Sequence, residues 1–353
     1  MAFLTIWACK EEKKEPPSVA ETMKTYTISQ MMDNEAIGGG SFSPDNSKLL
    51  ISSNRSGIYN MYTVGVDDGK MMPVTASDSS SVFAISYFPK DERMLFRMDG
   101  NGNEIYHIYA METDGTHKDI TPYEGARASF YGWAEDDKSF YYTSNTRNPR
   151  NDDIYEMDLE TLPPTLLFEN TEGYSIDDIS DDKKYLVLGK PINTNDSDLF
   201  LYTVADKKMV QINENQSANS GADFSPDGTS LYFTTDDGSE FAYLMRYDIE
   251  TGEKEKVMEK SWDIWGSYFT ENGTYQVTYI NEDAKNVIEV KDVASGENIE
   301  LPSFDNMDIT NVGFSDDETL MRFYVGGSHT PSNLYVYNLE TKEHKILSNV
   351  LYD

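Results

Sequence analysis

The stretch ADFSPDGTSLYFTTDDG, residues 222–238, reads as two short strands joined by a tight turn. Proline at Pro226 suits the second position of a type I turn because its φ is already fixed, and Gly228 suits the left-handed position after it. On this reading Asp227 is a turn residue, neither ligand nor catalyst. The fold is decided by whether the turn is unique.

It is not. The residue equivalent to Phe224 recurs as Phe42, Tyr87, Trp133, Ile179, Phe224, Phe269 and Phe314, in steps of 45, 46, 46, 45, 45 and 45. Three residues after each stands Asp45, Lys90, Asp136, Asp182, Asp227, Asn272 or Asp317, so all but one carry the short polar side chain that bonds its own backbone in a turn. After each turn an apolar run resumes, as in Leu49-Leu50-Ile51, Phe140-Tyr141-Tyr142 and Leu231-Tyr232-Phe233. A third run ends in Tyr62, Tyr109, Tyr155, Tyr202, Tyr247 or Tyr337, with Val290 in the sixth unit, and a fourth closes the unit, as in Pro73-Val74-Thr75. Four short strands with short connections fill about 45 residues.

Seven such units predict an all-β protein, a seven-bladed β-propeller of four-stranded antiparallel blades. One blade cannot bury both of its faces, so the ring is the expected folding unit. The predicted organisation is a leader and tether over 1–23 and a propeller over 24–353, with blades near 36–75, 81–121, 127–168, 173–212, 218–258, 263–301 and 308–347. Each unit holds its own four strands, so closure needs no exchanged strand, although Tyr26-Thr27-Ile28 could add to an edge. The one helical expectation is a single turn near Ser29–Glu35.

Composition narrows the partners. The 29 Lys and Arg against 62 Asp and Glu give a formal charge of −33, which repels a phosphate backbone and an anionic membrane surface and reads first as solvation. No nucleic-acid partner is expected. Cys9 is the single cysteine, which excludes an intramolecular disulfide and a thiolate metal cluster. His107, His117, His329 and His344 are scattered without metal-ligand spacing. No run approaches the ~20 apolar residues needed to span a bilayer, and neither a cofactor nor a metal is expected.

At the N-terminus, MAFLTIWAC places an apolar run before Cys9, and KEEKKEPPSVAE follows as a charged tether. This resembles a bacterial lipoprotein signal with Cys9 as the lipidated residue, and Lys10-Glu11-Glu12 resembles the acidic export tag of some surface lipoproteins. No basic residue precedes the run, and Trp7 is bulky for its position. The expectation is an exported envelope protein, periplasmic or at the cell surface, touching a membrane only through a lipid anchor.

Two propeller families are excluded by their motifs. Ser225-Pro226-Asp227-Gly228-Thr229 lacks the spacing and the Trp of a sialidase Asp-box, and Trp262-Asp263 opens a unit where a WD40 blade would place that pair near its end. The pattern that fits is Phe-Ser-Pro-Asp followed by an apolar run, in FSPDNSKLLI (42–51) and FSPDGTSLYF (224–233). It resembles the propeller of TolB-like proteins and of the N-terminal domain of prolyl oligopeptidase family serine peptidases. GGGSFSPDNSKLLISSNRSGIYNMYTV (38–64) and YYTSNTRNPRNDDIYEMDLET (141–161) are closest to the dipeptidyl and acylaminoacyl peptidase branch, and the resemblance covers about residues 24–353. It implies an α/β-hydrolase domain after the propeller that carries the catalytic Ser, Asp and His.

No Gly-x-Ser-x-Gly elbow occurs in the sequence, since Gly39-Gly40-Ser41-Phe42 and Gly326-Gly327-Ser328-His329 both lack the second glycine. No catalytic residue is therefore assigned to this chain. Arg55, Arg97, Arg147 and Arg150 fall in the second-to-third-strand connections of the first three blades, on one face of the ring. Arginine's planar fork suits a peptide carboxylate, while Asp99, Asp152 and Asp153 are near enough in sequence to pair with them instead. Asp99-Gly100-Asn101-Gly102-Asn103-Glu104 has the alternating oxygens of a calcium loop, but Glu104 stands where the sharp-turn glycine belongs, so a hairpin loop is expected. Two functions remain open: the substrate-gating propeller of an exported prolyl oligopeptidase family peptidase, and a stand-alone TolB-like propeller that binds a protein or peptide.

Overall fold

The computed structural model describes residues 27–29, 34–159 and 163–350. The chain divides into two units, Met1–Asn34 and Glu35–Asp353. In the first, Ile28 and Ser29 are helical, and Tyr26 and residues 30–33 lie outside the described residues. Among the described residues no helix is long and apolar enough to cross a membrane.

The second unit is a seven-bladed β-propeller. Each blade is an antiparallel sheet whose strands pair in chain order. The first, innermost strands are Ile37–Phe42, Val82–Phe88, Ala128–Trp133, Ser175–Ile179, Asn219–Phe224, Asp263–Phe269 and Asp308–Phe314. Six sheets have four strands and the sixth blade has three. Its expected fourth strand shrinks to one bridge between Lys291 and Asn298, plus a bond from Ile299 N to Val290 O at 2.7 Å. Pro302 follows at once, and without an N–H it cannot extend the ladder.

The repeated turn is built as its residues dictate. Gly228 N donates to Ser225 O at 2.7 Å, and Gly228 sits at φ +68°. Asp227 Oδ1 accepts from Ser225 Oγ at 2.6 Å and from Thr229 N at 3.1 Å. In the first blade Asp45 repeats this with Ser43 and Ser47, whose hydrogen bonds hold its carboxyl down at about 2. The left-handed position is filled elsewhere by Asn46, Asp137, Lys183 and Glu318. The second blade is shorter, with Phe88 paired directly to Asp91 around Pro89-Lys90.

Apolar side chains gather between neighbouring blades, one cluster per junction. The cluster between the seventh and first blades, for example, joins Phe42, Leu49 and Tyr62 to Tyr324, Leu334 and Val336. The junction between the fifth and sixth is the smallest, with Leu244, Ile264 and Ile280 buried.

Two regularities shape the channel wall. Every innermost strand loses register about halfway along, which leaves one or two residues out of the ladder: Gly40, Ile85, Tyr131, Asp177, Gly221-Ala222, Trp265 and Asn311-Val312. These are β-bulges, which bend a strand and re-aim its side chains. Beyond the bulge, the residue just before each Phe224 equivalent ties its blade to the next. Ser41 Oγ accepts from Tyr87 N at 3.0 Å, Ser86 Oγ from Trp133 Nε1 at 2.9 Å, Asp178 Oδ2 from Phe224 N at 2.8 Å, and Asp223 Oδ2 from Phe269 N at 2.7 Å. Tyr268 Oη donates to Val312 O at 3.4 Å. At the two remaining junctions Gly132 and Gly313 hold that position, and Tyr131 and Arg322 supply the tie, to Asp177 O and to Gly40 O respectively.

Candidate functional site

The channel has two chemically opposite mouths. On the loop face, away from the Ser-Pro-Asp turns, a cleft of about 400 Å³ opens between the first three blades. Its walls are the starts of three inner strands, at Ile37–Gly39, Phe83–Ile85 and Ser129–Phe130, with Ser52, Tyr59 and Arg97. Arg97 is the single charged residue among them. Its guanidinium lies over the Phe83 ring at 5.1 Å and the Tyr106 ring at 5.2 Å, and Phe83 leans on Tyr59 at 4.9 Å between centroids.

The four arginines singled out from the sequence are not brought together. Arg97 lies on a strand, not in a connection, paired with Phe83 on one side and Ile108 on the other. Arg55 bonds the buried Glu35 carboxylate at 3.2 Å and covers the Tyr62 ring at 5.8 Å. Arg147 grips Asp153 with two bonds of 2.7 Å and reaches Asn170 O at 3.0 Å, and its charge is reinforced chiefly by those bonds to Asp153. Arg150 is exposed in the same loop, which its backbone N–H fastens to Asn148 Oδ1.

Asp153 is fully buried and also accepts from Asn170 N at 2.7 Å. Arg147 is itself partly exposed, but Arg147→Ala would leave this buried carboxylate without its cation, with only Asn170 N and Tyr155 Oη to donate to it. The expected result is a melting temperature lowered by several degrees, read by circular dichroism, with the loss largely reversed in the double variant with Asp153→Asn. An unchanged melting temperature would refute it.

The Asp99–Glu104 loop directs its oxygens inward. Asp99 Oδ2 accepts from Glu104 N at 2.9 Å, and Asn103 Oδ1 from Gly100 N and Ile105 N. Glu104 itself takes a left-handed φ of +59°.

On the turn face the wall is acidic. A pocket of about 240 Å³ is lined by Glu135, Asp178, Asp181, Asp223 and Glu271 beside Tyr131 and Trp133. Asp178 and Asp223, one repeat apart, share a hydrogen bond between their carboxyls, and among the described residues no lysine or arginine pairs with either. Burial raises both, and the Asp178 carboxyl raises Asp223 further while its own is eased down by the hydrogen bond to Asp223, so the pair retains a proton that an exposed aspartate gives up. Glu271 is pushed up to about 7 by burial and by Asp316, Glu135, Asp137 and Glu318 around it.

Sequence reasoning missed this pair and the aromatic groups at the loop face. Trp265 is 58% exposed although it belongs to an innermost strand, and Trp262, just before that strand, meets Phe241 of the fifth blade at 5.9 Å between tilted rings. The aspartates had a legible signal: Asp178 and Asp223 take the place of serine, glycine or tyrosine immediately before the conserved turn of the repeat.

Comparison with known proteins places this architecture. The model of the prolyl oligopeptidase N-terminal β-propeller domain matches residues 74–350. The chain belongs to this family. Among curated prolyl oligopeptidase relatives it is similar to dipeptidyl aminopeptidase BIII of Pseudoxanthomonas mexicana, 26% identical over 248 residues that make up 68% of this chain and 36% of the relative. Among solved structures, a puromycin-hydrolyzing peptidase of Mycobacterium tuberculosis superposes with a TM-score of 0.69 at 11% identity, over 91% of this chain and 54% of that one. Prolyl oligopeptidase B of Galerina marginata superposes with a TM-score of 0.66 at 16% identity, over 91% of this chain and 51% of that one. The prolyl oligopeptidase propeller described here thus spans about a third to a half of the length of the relatives it matches.

Proposed function

We propose that this chain is the substrate-gating propeller of an exported serine peptidase of the prolyl oligopeptidase family, acting together with an α/β-hydrolase domain that holds the catalytic Ser, Asp and His. The observation that carries the reading is the family match over 74–350, combined with relatives about two to three times as long as the region they share with this chain. In this arrangement the propeller performs no bond chemistry. It limits access: the channel wall is a rigid ring tied at all seven junctions, so only short or narrow peptides reach the hydrolase side. The similarity to a dipeptidyl aminopeptidase supports a peptide substrate. Export rests on the sequence of residues 1–12 alone, which lie outside the described residues.

The test uses the protein recovered from its native source. A fluorophosphonate probe, which labels activated serines, is expected to mark the polypeptide that carries this propeller or a hydrolase bound to it. Mass spectrometry of the mature N-terminus is expected to find acylated Cys9. An unlabelled product that co-purifies with no hydrolase would overturn the peptidase reading, and an unmodified Met1 would overturn the lipid anchor alone.

A further inference from the structure

We propose that the cleft at the loop-face mouth is a binding site for a peptide carboxylate, with Arg97 as the residue that receives it. This rests on the reading of the chain as a peptide-handling propeller and names the chemistry of one subsite within it.

Four observations lead to this site. The first is the state of Arg97. Sequence-wide there are 62 acidic residues, and on this face Arg55, Arg127 and Arg147 are each held by a carboxylate at 3.2, 2.9 and 2.7 Å. Arg97 makes no ion pair with any described residue, which is also true of Arg150, and its guanidinium is held over the two rings of Phe83 and Tyr106. In a protein of formal charge −33 this is the less expected condition for an exposed arginine.

The second is orientation. Rings that take the flat face of a guanidinium leave its N–H donors directed outward in the plane, where two of them match the two oxygens of a carboxylate. The third is rigidity. Arg97 is flanked in register by Phe83 and Ile108, and Tyr59, Phe83 and Tyr106 form a continuous aromatic support with centroid distances of 4.9 and 6.1 Å. A side chain braced from a strand is better placed for recognition than one on a loop.

The fourth is the cleft itself. Its volume of about 400 Å³ falls within the range of small-ligand sites, and no carboxylate lines it. The apolar side chains of Ile37, Ile85 and Phe130 can cover the flank of a peptide residue. At Gly38 an added Cβ would meet nothing within 4 Å, so the backbone there is open to a ligand. The turn-face pocket, with its five acidic residues, would repel the same ligand. The two ends of the channel therefore differ in sign at the positions a peptide would meet.

The experiment is isothermal titration of the 353-residue chain with three probes: Ala-Ala-Phe as the free acid, the same tripeptide as its C-terminal amide, and acetyl-Ala-Asp-Phe-amide. The free acid is expected to bind at least tenfold more tightly than the tripeptide amide, with the preference shrinking at high salt. Arg97→Gln should reduce the free acid to the affinity of the amide with the melting temperature unchanged, and Arg97→Lys should restore part of the difference. If the aspartyl peptide matches the free acid, a side-chain carboxylate serves equally; if it matches the tripeptide amide, the site reads a C-terminus. Equal binding of acid and amide, or a preference that survives Arg97→Gln, would overturn the carboxylate site while leaving peptide binding intact. Failure of every probe to bind the wild-type chain would overturn the peptide-handling reading on which the site rests.

Discussion

Arg322→Met is expected to lower the free energy of unfolding by about 2 kcal/mol, chiefly the cost of leaving the buried Gly40 carbonyl without its charged donor. Arg322 projects from the second strand of the seventh blade, Leu320–Gly327, across the junction with the first. Its Nε donates to Gly40 O at 2.9 Å, and its Nη1 donates to Asn311 Oδ1 at 2.6 Å and to Asn311 O. No carboxylate accompanies it, and burial draws the guanidinium down from the usual arginine range. Two glycines make the space. A Cβ at Gly313 would stand 2.7 Å from Nε, and one at Gly40 would stand 2.9 Å from Cδ and Nε.

No strand is exchanged here among the described residues, and side chains do the joining beside one backbone bond, from Glu35 N to Val350 O at 3.3 Å. Tyr324 Oη reaches Gly39 O at 3.2 Å, and Lys345 Nζ reaches Asp67 O at 2.7 Å. Gly40→Ala should destabilise by a similar amount, because it introduces the clash at a φ of +123° that L-residues avoid. With the arginine already removed, the glycine substitution should cost less, since the two share one contact. Urea unfolding of the two single variants and the double variant measures all three terms. A single-variant loss under about 0.5 kcal/mol, the range of ordinary surface changes, would refute the role assigned to Arg322.

The second large effect is a reversal of the usual pH trend. Asp178 and Asp223 titrate in the unfolded chain near 3.8, while in the folded chain burial raises both and the Asp178 carboxyl raises Asp223 further. Below the unfolded value both states are protonated and the full contribution of the pair is present. As pH rises beyond it, the unfolded chain releases protons that the folded chain keeps, so stability falls until the folded pair has ionised. Glu271, at about 7, adds to the same trend. The opposite sign comes from turn aspartates such as Asp45, held at about 2, whose contribution is lost only in stronger acid.

The groups around the pair are Asp177 and Asp181 on the fourth blade with Asp178, Tyr131 and Glu135 from the third, and Tyr268 and Glu271 from the sixth, with Arg322 acting on Tyr268 from the seventh. None of these places a cation against either carboxyl. Stability should therefore peak near pH 4–5 and decline through pH 7–8, by an amount on the order of 2 kcal/mol. Asp223→Asn keeps a donor toward Asp178 and an acceptor for Phe269 N while removing one titration. It should flatten the decline and stabilise the protein at pH 8. Urea midpoints from pH 4 to 9 that rise toward neutrality in the wild type, or a variant with an unchanged slope, would sink this account.

The blades were legible because their determinants are local. A Ser-Pro-Asp turn and the apolar run after it specify a hairpin from a dozen residues, and repetition supplies the ring. The missing fourth strand of the sixth blade was hidden because Ile299 and Leu301 have the right apolar character, and only Pro302 and the failure of the ladder reveal the difference. Bulges escaped for a related reason. Alternation in a six-residue strand looks much the same with one residue inserted, so Trp265 and Tyr131 gave no sign that they stand outside the pairing. Site chemistry was the least legible. What separates Arg55, Arg97 and Arg147 is whether a carboxylate of the same blade turns toward the guanidinium, as Glu35 does for Arg55 and Asp153 for Arg147, and nearness in sequence did not tell Asp153 from Asp99.

The seven bulged positions bear on how such a protein can diversify. Residues in the ladder answer to a partner strand, and those in the inter-blade clusters answer to packing, so a change in either is resisted by stability. Trp265, exposed and outside the ladder, answers to neither, yet it belongs to a strand that surrounds the bore. The frame thereby carries a position at which calibre and polarity can drift with little cost to folding, a dial that turns without loosening the case.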